Sequence, residues 1–297
     1  MKNYLLGFFA EFDYPKDAAD TLESAYDRIC ESPVCATILT EILNSYNEKL
    51  AISADDLMPK CVKMASETGI HEHTVKLLVH ICLSKRLRTY YAEKNLPDSL
   101  FVAAMNDLKY KLIECHIVKG VWGTFVADGN WFSRWYDLTR FAFDRLQFET
   151  IKFCKTYEKN GVSLTRDSKV INVHIPRTGT PLDHGEIAES YRKAAEFYKE
   201  LLDGEPVVFV CSSWLLFPEH QNILHERSNI RKFMADYDII ESHLYPEVHC
   251  AAYWRIFDCP VEVAVDDAPE DTFLQRAYKT YLQGGGKLGY GYGVYVY

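Results

Sequence analysis

The chain has 297 residues, 48% hydrophobic and 25% charged, enough to bury about two cores, with no low-complexity tract or internal repeat. Its formal charge of -9 and the absence of a Lys/Arg run argue against a duplex nucleic-acid partner, which needs a basic face to displace counterions. No stretch approaches the roughly 20 apolar residues of a membrane span, and the nine cysteines include no C-x-x-C pair, so a reduced cytoplasmic protein without a metal site is expected.

The first ten residues faintly imitate a signal peptide. Glu11 and Asp13 follow at once with no small-x-small cleavage site, so this segment reads as structural. Helix then follows helix. Asp17 suits the cap of a helix carrying Leu22, Ala25, Tyr26 and Ile29. Ser32-Pro33 is a cap and first-turn pair ahead of Ile38, Ile42 and Tyr46. Ser53 with Asp56 forms an imperfect capping box ahead of Leu57 and Cys61. Val75, Leu78 and Cys82 mark a fourth helix, and Pro97-Asp98 opens a fifth that reaches toward Lys119. Residues 1–120 are therefore expected as a helical domain.

After Gly120 the period changes, and residues 121–297 read as a second domain. Residues 140–148 alternate, and Ile151 and Phe153 continue the extended character. Asn160-Gly161 signals a tight turn. The six residues Val170-Ile171-Asn172-Val173-His174-Ile175 form a strand that leads, through Pro176-Arg177-Thr178-Gly179-Thr180-Pro181-Leu182, into a helix. Asp183 and Glu186 make a D-x-x-E cap for it, and Ile187, Tyr191, Ala194, Tyr198 and Leu201 trace its inner face. Asp203-Gly204 stops that helix before a strand at 207–211, and Ser212 or Ser213 caps a further helix. Ser228 caps a short helix, residues 239–240 and 251–257 are expected as strands, a helix starts at Asp271, and residues 290–297 alternate as a last strand. The fold class is mixed α/β: a sheet of about six or seven strands flanked by helices.

The loop at 175–183 is the first functional candidate. A strand feeding a helix through a Gly-containing loop offers backbone N–H groups and the helix dipole to an anion, and Arg177 adds a bidentate cation. Pro176 and Pro181 lack donors, and Asp183 as cap competes for the same N–H groups, so a plain connection stays open beside the phosphate site. Other motifs fail their context. Gly284-Gly285-Gly286-Lys287-Leu288-Gly289 matches G-x-G-x-x-G but follows a helix, His71-Glu72-His73 has the wrong spacing for helical metal ligands, and His220 and His225 are unsupported. The acidic group Asp266, Asp267, Glu270 and Asp271 reads as solvated loop and helix cap that would also attract a cationic amine.

The runs His174-Ile175-Pro176 with Gly179 and Leu182, Ser213-Trp214-Leu215-Leu216, Ser228-Asn229-Ile230 with Phe233, and Arg140-Phe141 through Glu149 resemble a bacterial family of acyltransferase domain-containing proteins. These pair a helical N-acyltransferase N-terminal domain with a GNAT-like C-terminal domain. The resemblance implies an acyl-coenzyme A co-substrate and transfer of its acyl group to a small-molecule amine. It assigns Arg177, Thr178 and Gly179 to the pyrophosphate, with Ile175 and Asp183 at the two ends of the loop. Direct transfer needs a base for the amine, either Glu149 or His174, and an acid for the leaving thiolate, Ser213, although an exposed strand carboxylate, a hydrogen-bonded core histidine and a helix cap account for the three equally simply. Trp131, Trp135, Trp214 and Trp254 are candidates to line a channel or to pack a core. The loop departs from the R-x-x-G-x-G pattern of such folds, because Arg177 and Gly179 are two apart and prolines stand at 176 and 181. The alternative is a GNAT-like scaffold without catalysis that binds a ligand or protein partner. Splayed strands beside 174–183 with an open slot between them would favour the enzyme; a closed sheet with Arg177 turned into a salt bridge would sink it.

Overall fold

A computed structural model describes all residues except 160, 201 and 203–205, so the expected turn at Asn160-Gly161, the stop at Asp203-Gly204 and the inward position of Leu201 lie outside the described residues. The chain divides into two compact units, Met1–Phe141 and Ala142–Tyr297.

The first unit is helical: α1 (Lys2–Glu11), α2 (Lys16–Glu31), α3 (Pro33–Lys49), α4 (Ala54–Thr68), α5 (Glu72–Glu93), α6 (Asp98–Lys119) and the single turn α7 (Ser133–Tyr136). Ser32 Oγ accepts from Cys35 N, with Pro33 at the first position, as the cap-and-proline pair demands. Asp17 sits inside the first turn of α2, which starts after Pro15, and Ser53 stands at the start of α4 without a side-chain cap. The α5 helix is the centre of the unit, buried without a break from Thr74 to Ser84. A helix buried on every side shows no amphipathic stripe, and the polar residues it carries inward must find partners. Lys76 does, with Glu72 at 2.8 Å and Asp128 at 2.6 Å. On α6, Asp107 accepts the indole N–H of Trp131 at 2.7 Å and of Trp135 at 3.2 Å. The Arg140 guanidinium lies over both rings, 4.3 and 5.4 Å from their centroids. Residues 121–136 bond back to the helices: Thr124 N to the His73 carbonyl, Thr74 Oγ1 to the Trp122 carbonyl, and the Tyr136 hydroxyl to the His80 carbonyl.

The second unit is built on a six-stranded mixed sheet in the order β1-β2-β5-β6-β8-β7. Its strands are β1 (Arg140–Phe143), β2 (Leu146–Lys152), β5 (Lys169–His174), β6 (Val208–Ser213), β7 (Asp238–Leu244) and β8 (Gly289–Val296); β3 (Tyr157–Lys159) and β4 (Val162–Leu164) form a separate hairpin. The alternating run at 140–148 is two strands, because Asp144 takes φ 48° and turns the chain between them. Pleating gives the sheet two faces. Helix α8 (His184–Lys199) covers one, where Phe148, Tyr191, Phe209 and Tyr295 form a ring cluster with centroids 4.9–6.0 Å apart. On the other face, Val170, Val208, Val210 and Val294 pack with Phe153, Tyr157 and Leu164 from the β2 exit and the hairpin.

Short helices α9 (His220–Ile223), α10 (Asn229–Ala235), α11 (Ala251–Phe257) and α12 (Phe273–Gln283) complete the unit. Residues 251–257, expected as a strand, form α11. Their apolar content suited either element, and packing of Tyr253, Ile256 and Phe257 against Tyr278 and Leu282 of α12 selects the helix. Thr272, one residue after the expected start, caps α12 in a full capping box with Gln275. The Gly284-Gly285-Gly286 run is the turn from α12 into β8, with Gly285 at φ 86°.

His80 is 2% exposed beside Phe132 and Tyr136, with neither ring nitrogen hydrogen-bonded, and burial lowers its pKa to about 3. The folded state holds it neutral, whereas the unfolded chain protonates it below its ordinary value of about 6.5. Its contribution to stability is therefore complete above that value and is lost progressively as pH falls toward 3. In urea unfolding at pH 7 and pH 5, His80→Leu is expected to lose about 2 kcal/mol less than the parent between the two conditions.

Candidate active site

Strand β2 runs antiparallel to β5 with Gln147 opposite His174 and Glu149 opposite Asn172. This register places all four on one face and sends Phe148 and Val173 to the aromatic face. The two positions that the sequence offered as alternative bases meet: Glu149 Oε2 lies 2.9 Å from His174 Nε2. Asn172 Nδ2 lies 3.2 Å from the same nitrogen. Glu149 is buried at 6% exposure and His174 is half-buried, so the pair sits where water competes weakly for its hydrogen bond. Asn172 was legible only as a polar residue two before His174 in an apolar strand, the period that puts both on one face.

The pair sits at the end of β5, beside β6. These strands run parallel, and their register covers only Ile171↔Phe209 and Asn172↔Val210. His174 and the last residues of β6 lie beyond this paired stretch. Strand β6 continues in register with β8 to Ser213↔Gly291, so β8 holds its end. Alternation from Val210 puts Ser212 on the His174 face and Ser213 on the opposite face. Ser213 Oγ accepts from Leu215 N at 3.1 Å and caps the 3-10 turn Trp214–Leu216. The structure thus joins Glu149 with His174 and leaves Ser213 with the capping job.

Behind that turn stands a histidine that spacing alone had not supported. His220 is fully buried, and the carbonyl of Trp214 accepts from its Nε2 at 2.8 Å. Nε2 therefore carries the proton, and Nδ1 accepts from the Tyr278 hydroxyl at 2.8 Å. Burial holds His220 neutral, with its pKa lowered to about 4. It ties the β6 exit to α12.

The loop 175–183 starts against a buried cation, Arg145, whose NH1 donates to the Pro176 carbonyl at 2.8 Å. Ile175 is half-buried, and Gly179 is exposed in the left-handed region at φ 82°. Thr178 and Thr180 share a hydroxyl contact of 2.8 Å. Asp183 caps α8 as expected: Oδ1 accepts from Gly185 N at 2.9 Å and Glu186 N at 3.1 Å. Arg177 is in an ion pair, its NH2 2.8 Å and its Nε 3.1 Å from Asp258 Oδ1. Of the features that separate the two readings, the salt-bridged Arg177 is present, and the paired register of β5 and β6 ends at Asn172, two residues before His174. Trp135 is in the core of the first unit with the half-buried Trp131 on the same carboxylate, and Trp254 is buried in α11. The acidic group at 266–271 is bound to α12, with Gln283 on Asp266 and Lys279 on Glu270. No group of three His, Cys, Asp or Glu suited to a metal occurs among the described residues. Nor is any helix among them long and apolar enough to cross a membrane.

Residues 141–295 match the family model of the GNAT-like C-terminal domain, and residues 4–138 match that of the N-acyltransferase N-terminal domain. The chain belongs to the GNAT-like C-terminal domain family. Its fold is that of several solved acyltransferases. One, in complex with decanoyl-CoA and teicoplanin, is 20% identical with TM-score 0.73, covering 97% of this chain and 86% of that one. Another, in complex with decanoyl-CoA, is 18% identical with TM-score 0.73, covering 97% and 85%. A third, in complex with CoA and 10C-teicoplanin, is 19% identical with TM-score 0.72, covering 97% and 86%. No curated protein sequence matches the chain.

In this GNAT-like domain the end of β6 depends on β8. A Cβ at Gly291 would fall 2.2 Å from the Leu216 carbonyl oxygen, so the turn after β6 lies directly on the β8 backbone. Gly291→Ala is expected to cost about 3 kcal/mol by overpacking, read as a lower urea midpoint.

Proposed function

We propose that this protein is an acyl-CoA-dependent N-acyltransferase acting on a small-molecule amine. The observation that carries this reading is the Glu149–His174 pair, 2.9 Å apart at the end of the parallel strand pair in a GNAT-like domain. Solved relatives of the same fold hold decanoyl-CoA, one of them together with teicoplanin, which agrees with a thioester donor and a small-molecule acceptor. The nine cysteines are free, which fits a reducing cytoplasm.

The thioester supplies an activated acyl carbon; the chain supplies a proton acceptor and a place for the phosphates. An amine attacks as its free base and sheds a proton as its nitrogen bonds to that carbon. His174 takes up this proton, the adjacent Glu149 carboxylate stabilises the imidazolium that forms, and the C–S bond breaks to release the coenzyme A thiolate, which the imidazolium reprotonates. Glu149 accepts from Nε2 and so fixes the orientation of the imidazole, which leaves Nδ1 to take the proton. Arg177, the Thr178 hydroxyl and the backbone at Gly179 would hold the pyrophosphate, with Ile175 at the strand end. Asp183 serves as the cap that orients α8 behind the loop, its carboxylate occupying the first helix amides.

The rival reading, a ligand-binding scaffold without catalysis, is favoured by the engagement of Arg177 with Asp258. Calorimetry with CoA and decanoyl-CoA separates the two. Saturable binding that weakens in Arg177→Ala supports the enzyme, and a folded protein that binds neither supports the scaffold. Thiol release from decanoyl-CoA, with teicoplanin and a panel of primary amines, then tests the pair. Glu149→Gln and His174→Ala are expected to lower turnover by about 10²–10⁴ while leaving CoA affinity within about twofold. Full turnover in both variants would refute their role.

A further inference from the structure

The first amides of α8, His184 and Arg177 each face a carboxylate of the chain itself. Asp183 accepts from the first amides of α8, His184 Nε2 lies 3.0 Å from Asp236 Oδ1, and Arg177 meets Asp258. The three are built differently. Asp183 is a cap within its own helix, and the His184 pair lies at the exposed start of α8. Arg177 and Asp258 are 81 residues apart, and their contact joins the loop to a packed element.

Asp258 ends α11, whose Tyr253, Ile256 and Phe257 are buried in the helical core of the unit. Its backbone takes the left-handed conformation, φ 53° and ψ 42°, and its N–H donates to the Trp254 carbonyl at 2.9 Å. The carboxylate is thus presented from a fixed position. Arg177 approaches it from a loop whose tip, Gly179 and Thr180, is exposed. Arg177 Nε donates to one carboxylate oxygen and NH2 lies 2.8 Å from that same oxygen, which is not the parallel two-oxygen geometry of a strong Arg–carboxylate pair. The side chains are 29% and 44% exposed, so solvent screens the contact and its strength is modest.

We propose that Asp258 is a stand-in for a ligand phosphate: it holds Arg177 in the ligand-free protein and yields it when the phosphates of acyl-CoA arrive. The inference rests on the acyl-CoA reading above. The two phosphoryl groups of a pyrophosphate together carry two charges against the single charge of a carboxylate and accept from the guanidinium fork through two oxygens, so the pyrophosphate wins the exchange. The exchange has a cost, because the apparent affinity for phosphate is reduced by the fraction of molecules in which Asp258 holds Arg177. Asp258 thereby sets the affinity for the phosphate-bearing part of the co-substrate and leaves the rest of the site alone.

The test is calorimetric binding of CoA and of phosphate-free pantetheine to the full chain and to Asp258→Asn, Arg177→Ala and the double variant. Asn tolerates the left-handed backbone as well as Asp does, so the substitution removes the charge and keeps the helix end. Asp258→Asn is expected to bind CoA roughly fivefold more tightly, to leave pantetheine unchanged, and to gain nothing when Arg177 is already Ala. Asp258→Gly, which also accepts that backbone, is expected to behave alike, and equal thermal midpoints would show that both variants fold. CoA binding that is unchanged or weaker in both, an equal gain for pantetheine, or a gain that persists with Arg177→Ala would overturn the inference while leaving the acyl-CoA reading intact. A parent protein that binds no CoA overturns both.

Discussion

The register between β2 and β5 is the constraint on which the candidate site depends. With Gln147 opposite His174 and Glu149 opposite Asn172, the pleat gathers these polar side chains on one face and gives the other to Phe148, Ile171 and Val173. A slip of one residue would exchange the two sets. It would press Glu149 and His174 into the aromatic layer under α8, where an unmatched charge is costly, and expose the ring cluster. The same burial that stabilises the sheet therefore selects the register, and the register brings a carboxylate to an imidazole. Tyr198 of α8 reinforces it by donating its buried hydroxyl to the Phe148 carbonyl at 2.9 Å.

The second requirement is a β6 end that is held without pairing to β5. Strand β8 meets it by pairing with β6 as far as Ser213, and its glycines admit the turn that follows. Gly289, Gly291 and Gly293 share the face on which a Cβ would strike Phe217, Leu216 or Tyr237. The alternation of glycine and bulkier residues at the C-terminal strand is thus a packing device: small residues receive a backbone on one side, and Tyr292 and Val294 cover valines on the other. His220, locked between the Trp214 carbonyl and Tyr278, anchors the same turn from behind.

Electrostatics around the loop 175–184 follow a different logic from that of the pair. Glu149 and His174 are enclosed, and enclosure makes their mutual contact strong. The charges of the loop lie nearer water and are balanced by carboxylates from elsewhere in the unit, Asp258 from α11 and Asp236 from the end of α10. A loop neutralised in this way keeps its shape when empty and retains contacts that a more highly charged ligand could take over. The chain's net charge of -9 does not oppose such a ligand, because a local cation and oriented N–H groups outweigh distant, screened carboxylates.

What the sequence determined by itself was local. The succession of helices before Gly120, the Ser32-Pro33 and Asp183 caps, and the strand–loop–helix passage around 170–199 follow from periodicity and capping chemistry, which act over a few residues. Glu149 and His174 were legible as candidate bases, but only as alternatives, because they are 25 residues apart in sequence and nothing local declares that they touch. Residues 251–257 misled because an apolar run suits a strand or a buried helix equally, and the choice was made by the face of α12 that receives it. Asn172, the His220–Tyr278 contact and the Arg177–Asp258 pair were decided by tertiary structure alone. Each depends on strand register or on two distant elements meeting, and such long-range contacts are specified by the packing of the whole unit.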